Sequence, residues 1–329
     1  MSKVFITGAT GFIGSHLADE LIKKNYTIKC LVRKTSNLKW LKDKPVELVY
    51  GDFFDDKILE DVLKDVDYVY HVAGVTFAKK KEEFQRGNVD ATKNLLEVCL
   101  KVNPKLKKFI HVSSQAAVGP SFDPNNAVDE TKDYEPLTTY GRSKMESEKL
   151  VRGYFDKMNI TIVRPPAVYG PRDYAIFEYF KTMSRGLQPM IGFDNKLVSL
   201  IHVLDLVRGF IQAGESEKAK SNIYFISSEK FYNWRDVGDV TKKLFNRKTL
   251  KVVVPHFAVY TVGFFAQVFA MFSTKPVILN LEKVREITQA YWICSVEKAK
   301  RDFGYKQNIS LEEGFKDTIE WYKENKWLK

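Results

Sequence analysis

A short β-rich run, Val4-Phe5-Ile6, passes directly into Thr7-Gly8-Ala9-Thr10-Gly11-Phe12-Ile13-Gly14, and this turn opens a stretch with helical periodicity. No other feature restricts the fold of the chain as much. Gly8 lets the chain turn sharply, Gly11 lets backbone come close to a pyrophosphate, and Gly14 lets a helix pack against the strand. The helix start adds free N–H groups and the positive end of its dipole. Gly8, Thr10, Gly11, Phe12, Ile13 and Gly14 therefore form a candidate phosphate cradle. A glycine triplet alone is weak evidence, and its place between a strand and an amphipathic helix gives it weight. A tight turn of purely structural origin is the alternative.

The rest of the first half repeats the pattern. Strand-like runs fall at 4–7, 27–32, 47–50, 68–72, 108–113 and 160–163, the last stopped by Pro165 and Pro166. Residues 12–24 put Ile13, Leu17, Leu21 and Ile22 on one helix face, and residues 88–102 do the same with Val89, Leu95, Val98, Cys99 and Val102. Such alternation predicts an α/β fold, a doubly wound parallel sheet of Rossmann type covered on both faces. Past Pro166 the pattern loosens. Helices are expected over 173–186, 203–213, 234–246, 256–272, 295–302 and 311–324, with strand-like pieces at 197–203 and 222–226. The predicted organisation is a dinucleotide-binding domain over 1–166, with returning pieces near 197–228. A smaller, mostly helical substrate domain is expected over 167–329.

A length of 329 residues accommodates two such units. With 44% hydrophobic and 28% charged residues, a disordered, collagen-like or coiled-coil chain is excluded. The net charge is +11, but the cations are scattered and no nucleic-acid-binding motif accompanies them. The basic balance therefore reads as a solvated surface, with no nucleic-acid partner. Cys30, Cys99 and Cys294 build no zinc or redox pattern, so no metal site is expected, and they suit a reducing cytoplasm. A strand begins right after Met1-Ser2-Lys3, which leaves no room for a secretory leader and makes a cytoplasmic location the expectation. One segment raises a membrane question. Residues 256–273 contain no Lys, Arg, Asp or Glu, yet they are at the short limit of a span and include His256, Thr261 and Gln267. The expectation is an apolar helix near the pocket mouth, without firm insertion but able to touch a membrane surface.

Two further stretches carry chemistry. The second strand ends Leu31-Val32-Arg33-Lys34, with cations where a carboxylate would hold the ribose 2′-OH of NAD. Arg33 and Lys34 are thus candidate ligands of a 2′-phosphate, which favours NADP and leaves NAD open, unless they are only a basic loop. In Tyr140-Gly141-Arg142-Ser143-Lys144, Tyr140 and Lys144 share a helix face. A free phenol has a pKa of about 10, too high for a good base at neutral pH. A neighbouring ammonium is expected to lower it. Tyr140 can then exchange a proton with an alcohol or carbonyl oxygen while a hydride moves to or from a nicotinamide.

Taken together, the glycine turn, the strand-end Ser113-Ser114 and the Tyr-x-x-x-Lys helix resemble the short-chain dehydrogenase/reductase superfamily. Arg164-Pro165-Pro166-Ala167-Val168-Tyr169-Gly170-Pro171-Arg172, Ile201-His202-Val203-Leu204-Asp205 and the closing Leu311-Glu312-Glu313-Gly314 narrow the resemblance to its extended branch. That branch holds the NAD-dependent epimerase/dehydratase family, including 3β-hydroxysteroid dehydrogenase-like enzymes. The resemblance implies catalysis by Ser114, Tyr140 and Lys144, with Ser114 chosen over Ser113 by its position before Ala117-Val118-Gly119. It also implies that Asp52 meets the adenine amino group with Phe53 beside the ring, and that Ala73 and Gly74 lie at a cofactor ribose. Asn88 would support the active-site helix, Tyr140 and Lys144 would also touch the cofactor, and Pro165 would complete the contact set. His71 is read as packing, and His202 and Asp205 as architectural. In similar enzymes the helices corresponding to 88–102 and 140–156 form a dimer interface, so a homodimer is one option.

The substrate is a small molecule whose identity the sequence leaves open. Nucleotide-sugar enzymes of the branch carry an Arg where this chain has Val198-Ser199-Leu200, although Arg172 and Arg208 remain as candidates for a diphosphate. Phe177, Tyr179, Phe180, Phe257, Tyr260, Phe264, Phe265, Phe269 and Phe272 would suit an apolar, sterol-like alcohol or ketone. Each of them also reads as ordinary core. The leading expectation is an NAD(P)-dependent oxidoreductase acting on a secondary alcohol or ketone. A nucleotide-sugar epimerase or dehydratase without net redox is the second. A non-catalytic NADP-binding protein is the third, although such a binder need not keep Ser114, Tyr140 and Lys144.

Overall fold

The computed structural model describes residues 1–270 and 280–328. Six strands run through the first half: β1 (Lys3–Thr7), β2 (Thr27–Val32), β3 (Val46–Tyr50), β4 (Tyr68–His71), β5 (Lys108–Val112) and β6 (Ile160–Arg164). Four short strands follow, β7 (Ala167–Tyr169), β8 (Leu187–Ile191), β9 (Leu197–Val198) and β10 (Leu200–His202). Then β11 (Asn222–Phe225) returns to pair with β6, which gives a seven-stranded sheet in the order β11-β6-β5-β4-β1-β2-β3. Its pairings are all parallel.

Val4, Phe5 and Ile6 are completely buried, as a strand covered on both faces requires. Helix α1 (Phe12–Lys23) covers one face with Leu17 and Leu21, next to Leu206 and Phe210 of a later helix. On the other face α2 (Asp56–Leu63) places Leu59 and Leu63. Beside it, α3 (Lys81–Phe84) leads through a π-helical turn, Gln85–Asp90, into α4 (Ala91–Val102), which adds Leu95 and Cys99. Val151 of α5 (Thr139–Arg152) joins the same layer. The expected doubly wound sheet is thus the observed one. Strand order reverses between β1 and β4, and a crevice opens at the carboxyl ends of such strands.

The second half consists of α6 (Phe177–Ser184), α7 (Val203–Glu215), α8 (Trp234–Phe245), α9 (His256–Ala270), α10 (Leu281–Thr288), α11 (Glu297–Phe303) and α12 (Leu311–Glu324). Helices make up most of it, as expected, with short strands of two to five residues between them. The strand β13 (Leu250–Val254) pairs in parallel with β8, and β12 (Tyr232–Asn233) and β14 (Tyr291–Trp292) flank β9. These partners are far apart in sequence, so no local period announces them. The strand expected over 197–203 is broken at Ser199, whose buried hydroxyl accepts a bond from the Cys294 N–H at 3.1 Å. Helix α6 is shorter than the expected 173–186, because Asp173 instead makes a turn by accepting the Ala175 and Ile176 N–H groups at 2.9 and 2.8 Å. The last residues of the apolar run, 271–273, lie outside the described residues. Among the described residues no helix is long and apolar enough to cross a membrane.

Candidate active site

The site begins where β1 and β4 end. Gly8 has a φ of +77°, and a Cβ there would stand 2.6 Å from the Ala73 nitrogen. The Gly11 N–H donates to the Gly8 carbonyl at 3.0 Å, and Gly11 caps α1 without a side chain. The amides of Phe12, Ile13 and Gly14 then open the helix with no intrahelical partner. Thr10, Phe12 and Ile13 are half-buried and Gly11 is exposed. A Cβ on Gly14 would collide with the Gly8 carbonyl, whereas one on Gly11 would stand 3.3 Å from it. Gly14→Ala is therefore expected to cost about 1–3 kcal/mol and to weaken cofactor binding. Gly11→Ala should cost less. Thermal melts and coenzyme titrations check this, and an unchanged Gly14→Ala would mean that the turn readily opens.

Along the same carboxyl edge, Arg33 and Lys34 follow β2. Both are exposed, and among the described residues neither side chain has an ion pair or hydrogen bond. Asp52 follows β3, is exposed, and caps its own turn by accepting the Phe54 N–H at 2.7 Å. Phe53 turns inward, its ring edge-on to His71 with centroids 5.5 Å apart. The Ala73 N–H donates to the Thr7 hydroxyl at 3.3 Å. A side chain on Gly74 would meet Lys144 Nζ at 3.0 Å and Asn88 Oδ1 at 3.3 Å. The structure thus gathers the glycine turn, Ala73, Gly74, Asn88 and Lys144. Arg33, Lys34 and Asp52 stand farther along the edge.

Helix α5 carries the acid–base pair and is capped by Thr138, whose hydroxyl accepts the Gly141 N–H at 3.0 Å. Tyr140 is half-buried, and the nearby Ser114 hydroxyl, which accepts the Ala116 N–H at 3.1 Å, favours the ionised phenol. The two strand-end serines part company, since Ser113 is buried and donates to Glu148. Lys144 is buried, and its Nζ donates to the Val112 carbonyl at 2.9 Å. Asn88, within the π-helical turn, holds loop and helix together. Its Oδ1 accepts the Val75 N–H at 2.7 Å, and its Nδ2 donates to the Val75 carbonyl at 3.0 Å and to Ser143 Oγ at 2.8 Å. The Pro165 carbonyl accepts the Gln115 N–H at 2.9 Å, which ties the exit of β6 to the turn after Ser114.

Burial pushes the Tyr140 phenol up to about 12; the nearby Ser114 hydroxyl opposes this and Glu286 adds to it. Burial likewise pushes the Lys144 ammonium down to about 8, against the pull of Glu148. The expected lowering of Tyr140 by Lys144 is absent from the protein groups alone. Lys144 turns to the end of β5, and desolvation outweighs what its charge can do for the phenol. Beneath the pair lies a buried polar chain that the sequence did not reveal. Thr7 Oγ1 meets His71 Nδ1 at 2.7 Å, His71 Nε2 meets Thr92 Oγ1 at 2.8 Å, and Ser147 Oγ meets His111 Nε2 at 3.2 Å. Burial holds His71 at about 3 and His111 well below the ordinary histidine range, so both are neutral.

A model of the NAD dependent epimerase/dehydratase family matches residues 4–227. The chain belongs to this family. It is an NAD-dependent oxidoreductase of the extended short-chain dehydrogenase/reductase type. The ceramide reductase of Caulobacter vibrioides is 28% identical over 325 residues, covering 99% of this chain and 96% of its own. The decarboxylating sterol-4-alpha-carboxylate 3-dehydrogenase of Mus musculus is 25% identical over 336 residues, covering 97% and 90%. The UDP-glucuronic acid 4-epimerase of Bacillus cereus, solved in complex with NAD, shares the fold with a TM-score of 0.78 at 24% identity. That match covers 98% of this chain and 99% of the other.

In this family member, groups that the sequence had offered for a sugar diphosphate are engaged elsewhere. Arg172 donates to Ser15 Oγ at 3.0 Å and Asp19 Oδ2 at 2.8 Å, with its guanidinium 5.0 Å over the Trp40 ring. Arg208 stands 3.6 Å from Glu20 and 3.5 Å from Asp205. The candidate aromatics also divide. Phe177, Tyr179 and Phe180 belong to a core cluster with Phe315 and Tyr322. Phe257, Tyr260, Phe264, Phe265 and Phe269 are exposed along α9, and Phe272 lies outside the described residues. His202 caps α7, and Asp205 Oδ2 accepts the Ile309 N–H at 2.9 Å. Two acidic residues escaped the sequence reading. Glu148 pairs with Arg164 at 2.7 Å, and its spacing of four from Lys144 was a usable signal. Glu282 accepts the Thr139 N–H at 2.7 Å, the Thr139 hydroxyl at 2.9 Å and a bond from Arg142. Nothing local in the sequence marks Glu282.

Proposed function

We propose that this chain interconverts an apolar secondary alcohol and its ketone, with NADP(H) as the preferred coenzyme. The observation that carries the reading is the Tyr140 phenol beside the Ser114 hydroxyl at the end of β5, with Lys144 one helical turn away and in reach of Gly74. The residues fit a dinucleotide. The positive φ of Gly8, the close packing of Gly14 on the Gly8 carbonyl and the free amides at the start of α1 make a cradle whose tight turn leaves no room for a Cβ at 8 or 14. When bound, the nicotinamide gives or takes the hydride. Tyr140, neutral over the ordinary pH range, gives its proton to the carbonyl oxygen in reduction and recovers it from the alcohol in oxidation. Ser114 orients the same oxygen. Lys144 and Asn88 hold α5 against the loop after β4. Incubation with ketones, secondary alcohols and UDP-sugars tests this, with NADPH absorbance read beside product analysis. Epimerised sugar without net coenzyme turnover would overturn it.

Two observations favour an apolar substrate. Arg172 and Arg208 are taken up by carboxylates, and two of the relatives are named for a ceramide and a sterol. The reading also places the enzyme in the cytoplasm, where its three free, buried cysteines stay reduced. The coenzyme preference rests on Arg33, exposed at the end of β2 and without an ion pair among the described residues. One charge-assisted contact of about 1.5–3 kcal/mol would favour NADP(H) about ten- to a hundredfold. Arg33→Asp is expected to reverse the preference, because it removes the cation and supplies a ribose acceptor. Titration of both proteins with both coenzymes checks this, and equal wild-type affinities would assign Arg33 to the solvent.

A further inference from the structure

We infer that α9 docks on an anionic lipid bilayer and thereby holds the catalytic mouth at the membrane surface. This deepens the proposed function and rests on its apolar substrate. The sequence over 252–274 contains no Lys, Arg, Asp or Glu. One side of α9 is spoken for. Val259 is buried, a Cβ on Gly263 would stand 2.5 Å from Val284 of α10, and Gln267 accepts the Leu281 N–H at 3.2 Å. The rest faces water. Phe257 is 75% exposed, Phe264 52%, Phe265 54% and Phe269 70%. Residues 257, 260, 264 and 268 form a continuous stripe at helical spacing. Phe193, 74% exposed, extends this surface at the first turn, where the Gly192 N–H donates to the Val254 carbonyl at 2.9 Å. An apolar patch of this kind marks an interaction surface.

Charge selects the occupant. The strand pair β8–β13 leads into α9, and Arg185, Arg247, Lys248 and Lys251 stand exposed around it. Phenylalanines between lysines and arginines match the boundary of acyl chains and acidic headgroups. A second copy would bring two such cationic rims together on chains that each carry +11. The docked helix also reaches the chemistry. Helix α10, packed against α9, binds the first turn of α5 through Glu282, on Thr139 and Arg142 at either side of Tyr140. Glu286, one turn farther along α10, acts on the Tyr140 phenol. A bilayer against α9 therefore lies one helix away from the acid–base tyrosine. A lipid alcohol could then enter without crossing water.

The test is co-sedimentation of the full chain with vesicles of phosphatidylcholine, alone or with about one-third phosphatidylglycerol. Binding is expected to the acidic vesicles, less to the neutral ones, and to weaken with salt. Phe264→Ser combined with Phe265→Ser should lower the partition by about tenfold or more. Its melting temperature and its turnover of a water-soluble ketone should stay unchanged, because both side chains are exposed. A wild-type protein that stays in solution with both vesicles overturns the inference. So does a dimer in sedimentation velocity that the double substitution dissolves while vesicles bind neither form. Equal binding to both vesicles overturns the assignment to acidic lipid. Turnover of a detergent-dispersed alcohol without vesicle binding would sink docking and spare the proposed function. Vesicle binding without turnover of any apolar alcohol would do the reverse.

Discussion

Tyr140→Phe is expected to lower turnover by about two to four orders of magnitude, the range that a positioned acid–base group contributes. The substitution removes one oxygen. The ring, its packing and the Lys144 bond to Val112 all remain, so coenzyme affinity should change little. Lys144→Met is expected to behave differently. It removes a buried donor and leaves the Val112 carbonyl without that partner, beside Gly74 and Asn88, so coenzyme affinity should fall together with turnover. Steady-state rates and coenzyme dissociation constants for both variants separate the two roles. A Tyr140→Phe enzyme with normal turnover would remove the phenol from the mechanism.

Below pH 6.5 the fold is expected to lose stability steeply, by up to about 4 kcal/mol per pH unit. His16, His71 and His111 are buried and held neutral. Burial, with the Arg172 charge beside it, lowers His16 to about 4, and burial with Lys144 lowers His71 to about 3. Burial and the neighbouring His71 hold His111 lower than the ordinary value. In the unfolded chain all three bind protons near pH 6.5, while the folded chain binds them only at the lowered values. Each therefore favours unfolding by about 1.4 kcal/mol per unit as pH falls through this window, and none does so above it. Denaturant midpoints at several pH values between 7 and 4.5 measure the slope. His16→Gln keeps a donor for the Pro171 carbonyl, which His16 meets at 2.8 Å, and should remove about a third of the slope. A slope that is the same in the variant would mean that His16 is charged in the fold.

Elements that the sequence showed clearly are those whose determinants are local. The run 27–32 is the observed β2 and 311–324 is the observed α12, the latter introduced by Ser310 and Glu313 bonding each other's backbone N–H groups. In β2 the apolar Ile28, Cys30, Leu31 and Val32 are buried around a single Lys29, and in α12 a capped start announces the helix. Spacing of four puts Tyr140 and Lys144 on one side of α5. What spacing cannot tell is where a long side chain ends. Lys144 turns to Val112, and Arg172 and Arg208 turn to acids of α1, because partners from other elements lie there. The pairing of β8 with β13 and the clamp of Glu282 on α5 join segments that no local pattern relates. Helices α2 and α10 went unread although Asp55 and Asn280 cap them.

The strand β11 has a consequence for how the molecule comes into being. It completes the sheet beside β6, yet the chain makes β7 to β10, α6 and α7 before reaching it. During synthesis β6 therefore waits with an open edge, and Phe225 and Ile226 are not yet there to cover their part of the core. Edges of this kind invite pairing with other chains, and a contact between distant segments is slow to form. Helix α7 belongs to this delayed stage as well, although it packs on α1 with Leu206, Val207 and Phe210. A nascent chain ended before residue 222 would carry the whole glycine turn, Tyr140 and Lys144. It would nonetheless be a sheet with a missing border, exposed to chaperones and proteases until the last strand arrives.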